Sequence, residues 1–80
     1  MDENRIDIRV EFYSKAHRKG CYSAVYRALN IYDVNEDTVA TKEYKTVMWY
    51  TIDAYYSVKK DIKKDLKRLK KMDIIKNWTT

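Results

Sequence analysis

The chain is 80 residues long, carries a net charge of +5, and contains one Gly, no Pro, one Cys and one His. One Cys excludes an internal disulfide, and one Cys with one His falls short of the three or four ligands of a zinc cage. A single Gly rules out the glycine-rich loops that cradle phosphates or dinucleotides.

Hydrophobic residues make up 45% and aromatics 14%, enough for one core and too much for a solvated, disordered chain. No Pro/Gly/Ser-rich stretch marks a linker, so residues 1–80 read as a single domain. The longest apolar run, Val47–Tyr50, is far short of the about 20 residues a membrane span needs. Met1–Asn4 is acidic and lacks the apolar stretch of a secretion signal. With its lone free thiol, the chain reads as cytoplasmic, without a membrane partner.

Residues 5–13 alternate Ile6, Ile8, Val10 and Phe12 with Arg5, Asp7, Arg9 and Glu11, the pattern of a half-buried strand. Ser14–Gly20 is polar and basic and ends in the only Gly, as a hairpin loop would. Cys21–Tyr32 then reads as the returning strand, with Tyr22, Ala24, Tyr26 and Ala28 on one side. Tyr22, Val25, Tyr26 and Leu29 also share a helical face, and the strand is preferred because a lone amphipathic strand needs a partner. Asp33–Asp37 is a turn.

Residues 38–56 support two readings. One is a third strand over about 44–51, followed by Asp53 as a helix N-cap. The other is one helix over about 42–72, carried by Tyr44, Val47, Met48, Thr51, Tyr55 and Val58. Residues 54–72 predict a helix, because Tyr55, Val58, Ile62, Leu66, Leu69 and Met72 fall within an arc of about 120°. Ile74, Ile75 and Trp78 belong to a short final strand or a docked tail. The expected fold is α+β, a three-stranded antiparallel sheet (β-β-β-α) covered by one long, basic, amphipathic C-terminal helix.

Charge is concentrated in the second half. Residues 1–40 hold six Lys/Arg and seven Asp/Glu, whereas residues 41–80 hold eleven and five. Lys59, Lys60, Lys63, Lys64, Lys67, Arg68, Lys70 and Lys71 lie opposite the apolar arc, a one-sided field suited to several phosphates. A solvated face that uses Lys for solubility and helix propensity is the competing reading. Lys15, His17, Arg18 and Lys19, in the expected hairpin loop, form a second basic site. Seven of the eight helix cations are Lys, which lacks the bidentate fork that specific base readers use.

The function expected from these features is a small, non-enzymatic, basic protein that contacts nucleic acid or a nucleoprotein. The alternative is a compact inhibitor of the kind made by phages and mobile elements, binding one host protein through Trp49, Tyr50 and Tyr56. A minor third reading is a metal-free ribonuclease with His17 as acid/base. A homodimer through a free sheet edge or the apolar helix face is also open. No catalytic residue, metal site or cofactor is expected.

Overall fold

The computed structural model describes residues 3–35 and 38–80. Its first strand, β1 (Glu3–Glu11), follows the sequence alternation. Ile6, Ile8 and Val10 are buried, and Arg5, Asp7 and Arg9 face outward. The chain continues through α1 (Lys15–Asn30), β2 (Ala40–Tyr44), β3 (Val47–Tyr55), a 3₁₀ turn (Tyr56–Val58), α2 (Lys59–Lys71) and β4 (Asn77–Thr79).

The four strands form one antiparallel sheet in the order β2-β3-β1-β4. This is the split β-α-β arrangement, with each helix crossing between two strands that flank a third. Ile6 stands opposite Ile52, Ile8 opposite Tyr50 and Val10 opposite Met48. Val25 and Leu29 of α1 and Ile62, Leu66 and Leu69 of α2 close over that face. The helices leave the other face of the sheet open.

The expected β-β-β-α fold is therefore corrected to four strands and two helices, the longer helix having 16 residues. Ser14–Gly20 is not a hairpin loop, and Cys21–Asn30 is not a strand. Ser14 caps α1, its hydroxyl accepting the His17 N–H at 3.0 Å, which satisfies one of the helix's orphan donors. Arg18, Val25 and Leu29 then turn inward with Cys21 and Ala28 beside them, a helical spacing. Asp53 is not an N-cap. It lies within β3, which runs on to Tyr55 because Met48, Tyr50, Ile52 and Ala54 alternate into the core.

Two charged residues turn corners with backbone in the left-handed region. Lys45 (φ 54) forms the β2–β3 turn, and Asp73 (φ 58) follows α2. At Asp73 the Ile74 N–H returns to the Leu69 carbonyl at 3.0 Å and the Asp73 N–H to that of Lys70 at 3.1 Å, a Schellman ending that usually uses Gly. In the expected turn at 33–37, buried Asp33 accepts the backbone N–H and hydroxyl of Thr38 at 2.7 Å and 2.6 Å. Burial works to raise its pKa, but these bonds and backbone N–H groups of Asn35 and Asp53 hold it below the usual value. Glu36 and Asp37 of that turn, like Met1 and Asp2, lie outside the described residues.

Gly20 sits in the second turn of α1, with open space where a Cβ would be added and no positive φ. Gly20→Ala should therefore stabilise the protein by about 0.5–1 kcal/mol through helix propensity. Thermal unfolding would read this as a gain of about 4–8 °C per kcal/mol. A lowered Tm would mean that the glycine meets a demand other than helix.

A candidate nucleic-acid interface

α2 is short but strongly two-sided. Lys60, Lys64, Lys67 and Lys71 are all exposed and lie within about 60° of one another at 100° per residue. They stand opposite Ile62, Leu66 and Leu69, which are buried against the sheet. With a rise of 1.5 Å per residue the stripe is about 16 Å long. Lys63 and Lys70 flank it, also exposed. Lys67, Lys70 and Lys71 also lie in the last turns of α2, where cations complement the helix dipole.

The antiparallel sheet sets the two helices antiparallel, so α1 begins where α2 ends. Two contacts fix this junction. Tyr13 donates its hydroxyl to Asp73 Oδ1 at 3.2 Å, and His17 Nε2 donates to the Asp73 carbonyl at 3.0 Å. Lys15 and Lys19, exposed in the first two turns of α1, thus share one end of the molecule with Lys70 and Lys71. The same end receives Lys45, whose turn is tied to β1 by the Phe12 N–H on the Thr46 carbonyl. It also receives Lys76, whose N–H bonds the Glu11 carbonyl at 2.7 Å. None of these lysines forms an ion pair among the described residues. Lys45 and Lys76 escape sequence reading because they stand alone between neutral or acidic neighbours, and only the topology gathers them.

The four residues of the expected basic loop are divided. Lys15 and Lys19 face solvent. Arg18 is only 7% exposed, donating to the Lys45 carbonyl and lying 3.5 Å from Glu43 Oε2. His17 is half-buried, its Nδ1 accepting the Tyr13 N–H at 3.4 Å. Two more members of the helix set are also altered. Arg68 pairs with Asp65 at 3.5 Å, and Lys59 is half-buried, its ammonium 5.6 Å from the Tyr56 ring centroid. Asp65 also accepts the Tyr32 hydroxyl at 2.6 Å. That bond, then burial, pushes the Tyr32 pKa up to about 12.

The aromatic residues expected at a protein interface do not share a surface. Tyr50 is fully buried and donates its hydroxyl to the Tyr22 carbonyl at 3.1 Å, so its place as an interface residue is corrected to a core one. Burial, then Tyr22, holds its pKa above that of a free tyrosine. Trp49 is half-buried on the open face of the sheet, opposite Arg9 on one side and Lys42 on the other. Tyr56 is 65% exposed at the 3₁₀ turn, at the end of the molecule away from the lysine cluster.

The chemistry offered at His17 is limited. Its Nε2 lies 3.5 Å from Cys21 Sγ, but that nitrogen already donates to a carbonyl and cannot take a thiol proton. Both ring nitrogens are engaged in holding the α1–α2 junction, Nδ1 by the Tyr13 N–H and Nε2 by the Asp73 carbonyl. Among the described residues no group of three or more His, Cys, Asp or Glu could hold a metal ion, and no helix is long and apolar enough to cross a membrane.

Comparison with protein-family models, curated proteins and solved structures found no match for the chain.

Proposed function

We propose that the protein is a non-enzymatic binder of nucleic acid that grips the phosphate backbone. The backbone lies along Lys60, Lys64, Lys67 and Lys71 and bends toward the cluster of Lys15, Lys19, Lys45, Lys70 and Lys76. The observation that carries this reading is the stripe of four lysines on α2, without ion pairs among the described residues, aimed straight away from the core and running into a second cluster to which three other segments contribute. Phosphate contacts made by ammonium groups fix position without reading bases, so binding is blind to sequence. The split β-α-β arrangement hosts many functions and adds nothing to this argument.

Salt titration tests it. Each phosphate neutralised releases condensed counterions, so log K falls against log salt with a slope of about −0.9 per contact on duplex DNA. Fluorescence anisotropy with a labelled duplex of arbitrary sequence should give a slope near −4 for the stripe alone, and steeper if the cluster joins. Scrambling the duplex should change nothing. A flat salt dependence, or no binding at low salt, would overturn the proposal.

A further inference from the structure

β1 offers a second, unrelated site along its outer edge. β4 covers this edge only beside Arg9, Val10 and Glu11, and Thr80 Oγ1 then donates to the Asp7 carbonyl at 3.1 Å. The Glu11 carbonyl also faces outward, accepting the Lys76 N–H. Alternation along an antiparallel strand therefore turns the N–H and C=O of Arg5 to the same edge, where they meet no partner among the described residues.

These groups form the floor of a groove of about 270 Å3 lined by residues 4–7, Tyr56, Lys59 and Thr80. On the open-sheet side stand Arg5 and Asp7, 3.7 Å apart. On the helix side stand the exposed Tyr56 ring and Lys59, which has no carboxylate within ion-pair distance among the described residues.

We propose that this groove is a strand-addition site for an extended acidic peptide segment of a partner protein. The segment lies antiparallel to β1, in line with β4. Its residue opposite Arg5 exchanges two main-chain hydrogen bonds with Arg5, donating to the carbonyl and accepting from the N–H. Its neighbours, opposite Asn4 and Ile6, point to the helix side, because side chains alternate. There an acidic side chain meets Lys59 and an apolar one covers Tyr56.

Two registers of a second copy fit this edge badly. Antiparallel self-pairing centred on Arg5 sets Arg5 against Arg5 of the second copy, and like charges directly opposite repel. Centring on Ile6 matches Arg5 with Asp7 but drives residue 4 of each copy onto Thr80 of the other, since Thr79 pairs with Arg9 and Thr80 follows beside Ile8. Both registers thus disfavour self-pairing, in keeping with the way natural sheet edges avoid it, and the proposed occupant is a separate strand.

Panning displayed seven-residue peptides against the full chain tests this, with the enriched sequences titrated as capped synthetic peptides into 15N-labelled protein. The expected peptides alternate, with Asp or Glu two positions from an apolar residue, and amide shifts cluster at 4–7 and 56–59. Lys59→Glu should weaken them about tenfold, the effect of losing one charge-assisted contact and adding repulsion. Arg5→Ala keeps the outward N–H and should keep most of the affinity. Arg5→Pro deletes that N–H without touching the β1–β3 ladder, a change sheet edges tolerate, and should lose at least about tenfold. N-methylation of the peptide amide facing the Arg5 carbonyl removes the other bond from the ligand side, and should also lose binding even if Arg5→Pro fails to fold. Failure to enrich any sequence, shifts at another surface, or N-methylated peptides binding undiminished would each overturn the site. Because the groove lies away from the lysine cluster, nucleic-acid binding should survive Arg5→Pro, so the two proposals fail separately.

Discussion

Changing Lys60, Lys64, Lys67 and Lys71 together to Glu is expected to cut affinity for generic duplex DNA by at least three orders of magnitude at about 0.1 M salt. Four phosphate contacts contribute about 0.9 logarithmic unit each per decade of salt below 1 M, which gives on the order of 10³ to 10⁴. The salt slope should collapse with it. The fold should persist, because all four side chains point away from the core and are exposed. Near the C-terminus of α2, Lys71→Glu loses a favourable dipole interaction of about 0.3–1 kcal/mol, while Lys60→Glu near the N-terminus gains a similar amount. The i,i+4 pairs 60–64 and 67–71 pass from one like-charge repulsion to another, so they change little. Anisotropy measures the binding, and thermal unfolding checks the fold. Lys42→Glu, on the open sheet face beside Trp49, serves as the control and should change affinity by less than about tenfold, one contact's worth. Equal losses from the quadruple change and the control would relocate the interface to the sheet.

The elements that could be read in the sequence were those whose two faces differ most in polarity. β1 alternates cleanly because one side meets the core and the other meets water. α2 could be recognised because its apolar residues recur every three or four positions among lysines, although β3 and a 3₁₀ turn take the first five of the 19 residues that pattern spans. β2 left no signal. All five of its residues, Ala40–Tyr44, are exposed at the edge of the sheet, so no apolar rhythm exists to be found, and charged edge strands are what sheets use to discourage unwanted pairing. α1 misled for the opposite reason. Its Tyr and Ala residues fit period two and period 3.6 alike, and its cap, Ser14, lay hidden in what resembled a loop ending in Gly. Of the site, the α2 lysines were legible because they belong to one periodic tract. Lys45 and Lys76 were not, since only the pairing of distant segments brings them to the same end.

Arg18 shows why a basic residue in a basic tract need not belong to a binding surface. Arg18→Ala is expected to destabilise the protein by about 2–3 kcal/mol, a large share of the 4–12 kcal/mol typical of a domain this size. Three losses contribute. The hydrogen bond to the Lys45 carbonyl disappears, costing about 1–1.5 kcal/mol. The packed methylenes leave a partial cavity. The ion pair to Glu43 contributes least, because Glu43 is 63% exposed and screened by water. Arg18→Met keeps most of the packing and should cost about 1 kcal/mol, and Glu43→Gln should stay within about 0.5 kcal/mol. Urea denaturation separates these values. A Glu43→Gln loss as large as that of Arg18→Ala would show instead that the ion pair dominates. Hydrogen exchange adds a spatial check. Arg18 ties α1 to the β2–β3 turn, where Lys45 holds a left-handed backbone, so opening in Arg18→Ala should begin at Ala40–Thr46 rather than at β1. A variant that loses nucleic-acid binding through Arg18 would then do so by loosening that turn, which also presents Lys45, and its Tm would fall. Loss through the α2 stripe leaves the Tm in place.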